Sequence, residues 1–266
     1  MKILDLAPEP YSLYLQCLED WSDEMKDAGN KKDLWFKAME KNGLRVKLAA
    51  NDDGVVGGMI QYIPIERSHV EGDGLYFISC IWVHGHKQGR GDFQKRGMGA
   101  ALLNAAEEDA RALGAKGIAA WGLSLPFWMK ASWFKKHGYV QADKDGIAVL
   151  LWKRFSDDAE PPRWIKQVRK PVLVPGKVAV TSFVNGWCPA QNIVYERAKR
   201  ASAEFGDAVV FTEIGTMDKA TMREWGLSDA LFIDGKFVRT GPPPSYEKIR
   251  KLIGTRVKKL KAGYKK

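Results

Sequence analysis

The stretch Gln94-Lys95-Arg96-Gly97-Met98-Gly99-Ala100 decides the reading of this chain. It follows an apolar, strand-like run from Leu75 to Val83 and opens directly into a helical pattern, Ala101-Leu102-Leu103-Asn104-Ala105-Ala106-Glu107-Glu108. Strand, glycine-rich turn and helix N-terminus in that order make a seat for a phosphate group. Backbone N–H groups freed by the turn point outward, and the helix dipole adds partial positive charge. Gly97 and Gly99 let the main chain approach an anion with no Cβ in the way, and Lys95 and Arg96 supply point charges beside it. Two other phosphate motifs do not fit. A P-loop needs Gly-Lys-Ser/Thr after the turn, and a dinucleotide fingerprint needs Gly-x-Gly-x-x-Gly, whereas Leu102 stands where the last glycine belongs. The remaining alternative is a plain glycine-rich turn before an amphipathic helix, so the neighbouring segments decide.

The strand before the turn, Leu75-Tyr76-Phe77-Ile78-Ser79-Cys80-Ile81-Trp82-Val83, is apolar on both faces, as a central strand should be. After the helix comes a short strand bounded by glycines, Lys116-Gly117-Ile118-Ala119-Ala120-Trp121-Gly122, and then Ala131-Ser132-Trp133-Phe134-Lys135-Lys136-His137-Gly138-Tyr139. The spacing Gln-x-x-Gly-x-Gly, with these flanks in this order, resembles the pyrophosphate loop and later helix of the GNAT acetyltransferase superfamily, over Met1 to Phe155. The resemblance implies an α/β (α+β) fold with a mixed central sheet flanked by helices, acetyl-CoA as cosubstrate and no metal. It places the pyrophosphate at Gln94, Lys95, Arg96, Gly97, Met98, Gly99 and Ala100, and the pantetheine arm and thioester carbonyl on the backbone of Ile81, Trp82 and Val83. It sets Phe134 beside the thiol. The implied activity is N-acetyl transfer to an amine of a small molecule or protein, by direct attack on the thioester, with a general base and strand amides assisting.

Two features depart from the family pattern. A near-match, Gln88-Gly89-Arg90-Gly91-Asp92-Phe93, occupies the usual loop position but ends in Phe where a small residue is wanted, so His84 to Phe93 reads as an enlarged loop: a lid, a substrate contact or a surface insertion. At Phe134 many members carry a Tyr that can protonate the leaving thiolate, and Phe has no proton to give. The strand Leu75 to Val83 contains no acid; the nearest carboxylates in sequence are Glu66 and Asp73, while His84 and His86 at the strand's end titrate in a useful range. Catalytic candidates are therefore His84, Glu66 and, farther on, Cys188, with none assigned as base. A second reading follows from the same departures: an acyl-CoA-binding sensor or adaptor that does not turn over.

Beyond Ser156 the pattern breaks into a polar, proline-bearing stretch, Asp157-Asp158-Ala159-Glu160-Pro161-Pro162-Arg163, which suggests a linker over 156–176 between domains at 1–155 and 177–266. The second part restarts with a strand, Val178 to Val184. Then come Trp187-Cys188-Pro189, a helix from about Asn192 to Glu204, a strand from Ala208 to Ile214, and a helical piece near Lys219 to Trp225. A hairpin across Asp234-Gly235 and a final helix after Pro242-Pro243-Pro244-Ser245 complete it. The order β-α-β-α-β-β-α with Trp-Cys-Pro at the first turn resembles a thioredoxin fold, and its pairing with an acetyltransferase domain resembles the YoaP-type proteins. Cys188-Pro189-Ala190-Gln191 has Gln in place of a resolving cysteine, which excludes a two-cysteine cycle in this turn, and Asp229 holds the position of that family's cis-proline. Cys188 is open to thiol or acyl-acceptor chemistry, or to being a relic in a docking fold.

The 266 residues suffice for two domains, and ten Trp with a 45% hydrophobic fraction exclude a disordered chain. Cys17, Cys80 and Cys188 are odd in number and far apart, so neither a disulfide scaffold nor a zinc spacing can be built from them; Cys17 is expected on an N-terminal helix and Cys80 on the central strand, as small buried residues. The first ten residues hold no apolar leader core and no stretch is long enough for a bilayer, so a cytoplasmic protein without a membrane partner is expected. Much of the net charge of +10 lies in the run Arg256 to Lys266, read as a solvated tail rather than a nucleic-acid contact.

Overall fold

The computed structural model describes residues 1–125 and 128–263. The last three residues of the basic run, Tyr264, Lys265 and Lys266, lie outside the described residues. The chain divides into two compact units, one of Met1–Ser22 with Phe36–Ile165, the other of Asp23–Trp35 with residue 166 onward.

The first unit comprises β1 (Lys2–Asp5), α1 (Tyr11–Leu15), the second half of α2 (Lys31–Glu40), β2 (Arg45–Ala50), β3 (Val56–Pro64), β4 (Val70–Glu71), β5 (Leu75–Val83), α3 (Met98–Ala112), β6 (Gly117–Leu123), α4 (Ala131–Lys136), β7 (Val140–Asp145), β8 (Ala148–Arg154) and β9 (Arg163–Trp164). Seven strands form one sheet in the order β1-β2-β3-β5-β6-β8-β7. Among the described residues only β5 and β6 run parallel in it; the other neighbours are antiparallel. The sheet is therefore mixed, with its parallel pair at the centre, where α3 supplies the crossover. Leu102, Leu103, Ala106 and Ala110 recur at helical spacing on α3 and pack against Ile60, Tyr62, Ile78, Ile118 and Ala120. Phe77, Ala119, Leu150 and Trp152 belong to a separate cluster with Ile65, Val70 and Ala159. Two points differ from the sequence reading. Cys17 lies beyond α1, half-buried and in a left-handed turn rather than on the helix. The polar stretch after Ser156 starts as structure: Ala159 is buried and β9 pairs with β4, while Trp164 stacks on His69 with ring centroids 5.5 Å apart.

The second unit contains β10 (Val178–Val184), α5 (Pro189–Ala203), β11 (Val209–Gly215), α6 (Lys219–Trp225), β12 (Ala230–Ile233), β13 (Lys236–Val238) and α7 (Tyr246–Gly263). Its sheet order is β11-β10-β12-β13, with β10 parallel to β11 and antiparallel to β12. Val194, Ala198 and Ala201 of α5 join Ile249, Ile253 and Val257 of α7 over Val178, Val180, Leu231 and Ile233. Asp234 and Gly235 both have positive φ, 49° and 66°, the pairing that a two-residue hairpin turn requires. α6 begins at Asp218, whose side chain accepts the Thr221 N–H at 2.8 Å, and stops at left-handed Gly226. α5 starts three residues before the expected Asn192, because Pro189 is pre-set for the first helical position and lacks the N–H that would go unpaired there. The 3₁₀ turn Asp23–Ala28 is held in this unit by Arg197, which donates to Glu24 at 3.1 Å and Asp27 at 3.3 Å.

Candidate active site

The centre of the first sheet opens where β5 leaves β6. The two strands pair only from Leu75 to Ile78, and among the described residues no strand lies on the β6 side of β5 beyond that. The parting follows a bulge. On β3, Gln61 pairs with Cys80 and Tyr62 with Ile78, leaving Ser79 as the extra residue, and a bulge bends its strand and increases the local twist. Polar side chains hold it. Gln61 Nε2 donates to Ser79 Oγ at 3.0 Å, Tyr14 OH donates to Gln61 Oε1 at 2.8 Å, and the Trp121 indole on β6 donates to the Ser79 carbonyl at 2.9 Å. These groups are buried or partly buried and satisfied, so the bulge is a fixed feature of the strand. Past it lie Ile81, Trp82 and Val83, all half-buried.

Beside this opening stands the N-terminus of α3. Gly97 caps it at φ 83° with no side-chain acceptor, and the first N–H to bond back is that of Ala101, to the Gly97 carbonyl at 3.0 Å. The N–H groups of Met98, Gly99 and Ala100 therefore have no acceptor within the helix. No acid occupies the first turn, and Gln94, Lys95 and Arg96 are exposed next to it, Lys95 itself at φ 60°. Met98 is buried and ties the helix end to the core. The glycines serve different ends. A Cβ added to Gly97 would meet nothing within 4 Å, so the left-handed backbone is what demands glycine there; at Gly99 it would lie 3.3 Å from the Trp133 ring. Phe134 is fully buried against Trp133 and Tyr139 and offers no surface to a bound molecule, whereas Trp133, one residue earlier, is half-exposed. An uncapped helix end with two cations and free space above it can hold a diphosphate, and the unpaired edge of β5 can hold an extended amide chain by strand-like hydrogen bonds.

The enlarged loop is tied down along its length. The Phe93 ring fills the space over Gly57, where a Cβ would come within 2.4 Å of it. The loop's ends pair through Phe93 N–H to the His84 carbonyl at 2.9 Å, and Arg90 donates to the Val56 carbonyl at 2.8 Å and to Asp20 at 3.1 Å. The first near-match, Gln88–Phe93, thus ends in a core residue, and the helix begins only after Gln94–Gly97.

The catalytic candidates do not come together. His84 is fully buried with both ring nitrogens engaged: Nε2 accepts the Trp21 indole N–H at 3.0 Å, and Nδ1 lies 2.7 Å from the Gly91 carbonyl, to which its proton is assigned by this network. That arrangement fits a neutral, structural histidine, and His86 packs its ring on Trp21 at 5.8 Å. Glu66 is exposed near the opposite end of β5, accepting the Gly74 N–H at 2.9 Å, and Asp73 is exposed beside Lys116. Cys188 belongs to the second unit, as the buried N-cap of α5. Next to it the Trp187 indole donates to Asp229 at 2.9 Å; Asp229 also accepts from the Asn185 N–H at 3.1 Å and Ser228 Oγ at 2.8 Å. Burial pushes the Asp229 carboxyl above the usual carboxylate range in spite of these donors.

One acid at the opening was not read from the sequence. Glu19, in the loop after α1, is 14% exposed in its side chain, and its Oε1 accepts the Trp82 indole N–H at 3.1 Å. Cys17 and Leu18 before it have left-handed φ values of 50° and 65°, and Leu18 is fully buried, so a strained, anchored turn presents the carboxylate. Nothing in Gln16-Cys17-Leu18-Glu19-Asp20 announces this; the fold alone brings Glu19 to Trp82.

A cavity of about 740 Å³ beside β8, lined by Trp152, Lys153, Arg154 and Glu160, takes in none of these residues. Among the described residues no group of three or more His, Cys, Asp or Glu could hold a metal ion, and no helix is long and apolar enough to cross a membrane.

Solved structures similar to this chain include three acetyltransferases. A GNAT family acetyltransferase from Brucella melitensis in complex with acetyl-CoA is 18% identical, covering 61% of this chain and 94% of its own, at a TM-score of 0.41. The PaiA N-acetyltransferase from Thermoplasma acidophilum in complex with coenzyme A is 16% identical over 58% of this chain and 100% of its own, at 0.43. A ribosomal-protein-alanine N-acetyltransferase from Brucella melitensis is 15% identical over 58% and 100%, at 0.44. Likenesses this distant bear on neither substrate nor mechanism. No curated protein matches the chain. The model of the Acetyltransferase (GNAT) family matches residues 3–139, about half of the chain, and the chain belongs to that family.

Proposed function

We propose that this protein is an acetyl-CoA-dependent N-acetyltransferase that acts on an amine of a small molecule or protein. The observation that carries the reading is the uncapped, cation-flanked N-terminus of α3 standing beside the unpaired end of β5. The residues present fit the cosubstrate: three N–H groups without helical acceptors suit a pyrophosphate, and the space above Gly97 leaves room for it. Bound there, acetyl-CoA would supply an activated acyl carbon. Met98, Gly99 and Ala100 would hold the pyrophosphate through their N–H groups, aided by Lys95 and Arg96. Ile81, Trp82 and Val83 would hold the pantetheine arm on the strand edge and polarise the acyl carbonyl. With Phe134 buried and carrying no exchangeable proton, water or another donor would protonate the thiolate.

The second unit supports a thioredoxin-like reading over 177–266: its elements follow the order β-α-β-α-β-β-α, and Cys188 caps the helix that leaves the first strand. Its closed turn, with Trp187 bound to Asp229, favours a docking module over an exposed thiol.

Release of CoA thiol from acetyl-CoA over a broad panel of amines tests the activity. Steady release with at least one amine, above the rate in buffer, supports transfer. Release that no amine raises, from protein that binds acetyl-CoA, would contradict it.

A further inference from the structure

The seat for the donor lies on the α3 side of β5, and the opposite face carries chemistry of its own. Ile81 and Val83 pack with α3, so by strand alternation Trp82 points to the other face. There its indole holds Glu19 Oε1 at 3.1 Å, and Glu19 Oε2 lies 3.8 Å from His84 Nε2. That imidazole nitrogen already accepts the Trp21 N–H, so it has no proton to offer the carboxylate. Among the described residues no lysine or arginine pairs with Glu19; Arg90, the cation of the neighbouring loop, is taken by Asp20 and the Val56 carbonyl. The result is a mostly buried carboxylate aimed by one indole, near a neutral imidazole and a second indole, and lacking a cation. A buried charge without a counter-charge is costly. Here it is also fixed in place: a Cβ on Gly89 would come within 2.1 Å of the Trp21 ring, so the two loops are locked together around it.

We infer that Glu19 is the acceptor subsite, receiving a primary amine as its ammonium ion beside Trp21 and Trp82. A carboxylate answers the charge with hydrogen bonds to the ammonium N–H groups. This rests on the donor reading above: the bound ammonium must first give a proton to the Glu19 carboxylate or to water, and the free amine then attacks the donor's acyl carbon.

The test is titration of ¹⁵N-tryptophan-labelled protein with n-butylammonium chloride, following the indole N–H resonances assigned with Trp82→Phe and Trp21→Phe. A saturable shift of the Trp82 resonance is expected, at least tenfold weaker in Glu19→Gln, retained in Glu19→Asp, and absent with neutral n-pentanol. No saturable shift in the wild type, equal affinity in Glu19→Gln, or an equal response to pentanol would overturn the assignment. If Glu19→Gln loses its indole dispersion and so does not fold, Glu19→Asp and the pentanol contrast decide. Acetyl-CoA affinity, measured by calorimetry on the same samples, should change less than twofold in Glu19→Gln. Wild-type protein that binds butylammonium but not acetyl-CoA would sink the donor reading and leave the ammonium subsite standing.

Discussion

The turns that lead into α3 and α5 both carry a left-handed glycine and end in opposite states. Each is preceded by a positive-φ glycine: Gly97 caps α3 after the enlarged loop, and Gly186 lies two residues before Cys188, the cap of α5. At α3 the turn is exposed, no side chain caps the helix, and two cations stand beside it. At α5 the turn is buried, with Cys188, Trp187 and Asn185 all under a tenth exposed, and Asp229 collects the Asn185 and Trp187 N–H groups. The donors of one turn are thus open to a ligand, and those of the other are taken by the protein's own carboxyl. Turn donors are open to a ligand only where the protein has not already answered them.

The largest effect is expected at the closed end. Asp229→Ala strands the indole N–H of buried Trp187 and the backbone N–H of buried Asn185, and should cost about 3 kcal/mol in urea unfolding of the second unit. Full stability in that variant would mean the turn is not closed by Asp229. The glycines sharpen the contrast. Gly186 combines φ 108° with the Lys31 carbonyl 3.0 Å from any added Cβ, while Gly97 has φ 83° and open space. Gly186→Ala should therefore cost roughly 2 kcal/mol and Gly97→Ala about 1 kcal/mol in the same assay. Equal costs would remove the distinction between a crowded turn and an open one.

A smaller effect concerns pH. The folded Asp229 carboxyl keeps its proton to higher pH than the unfolded one, because burial raises its pKa. Between the two values the folded state holds more protons, so this group's contribution falls as pH rises, from about pH 4 upward. Asp229→Asn, which keeps a polar group of similar shape, should lack that decline; urea midpoints across the acid range check it, and parallel curves would refute it. Smallest are the cations of the open end. Lys95→Ala and Arg96→Ala should each weaken acetyl-CoA binding roughly two- to fivefold, more at low salt. A loss that salt does not change would mean they act by contact rather than charge.

Segments whose apolar runs are bounded by turn residues were legible in the sequence: β5, β10 and α6 fall where Leu75–Val83, Val178–Val184 and Lys219–Trp225 place them. The glycine loop was legible for the same reason, since a strand, a turn and a helix are each local. The reason for its glycine was not, because only the backbone shows that φ rather than crowding selects Gly97. The α5 start was misplaced by three residues because Pro189 reads as a breaker when it is a first-turn residue. Least legible was the acceptor face. The Ser79 bulge depends on Gln61 and Tyr14, and Glu19 reaches Trp82 through a left-handed turn at Cys17 and Leu18, pairings made across the sheet that leave no trace in sequence spacing. Phe134 illustrates the converse: its motif position set it beside the cosubstrate thiol, and its ring is fully buried against Trp133 and Tyr139.

The most direct measurement is calorimetric titration of acetyl-CoA into the wild-type protein and Gly97→Glu, which sets a carboxylate where the α3 N–H groups and Lys95 and Arg96 invite an anion. Binding to the wild type is expected, weakened roughly tenfold or more in the variant. Equal affinity in the two proteins would contradict the assignment of the donor's pyrophosphate to the N-terminus of α3.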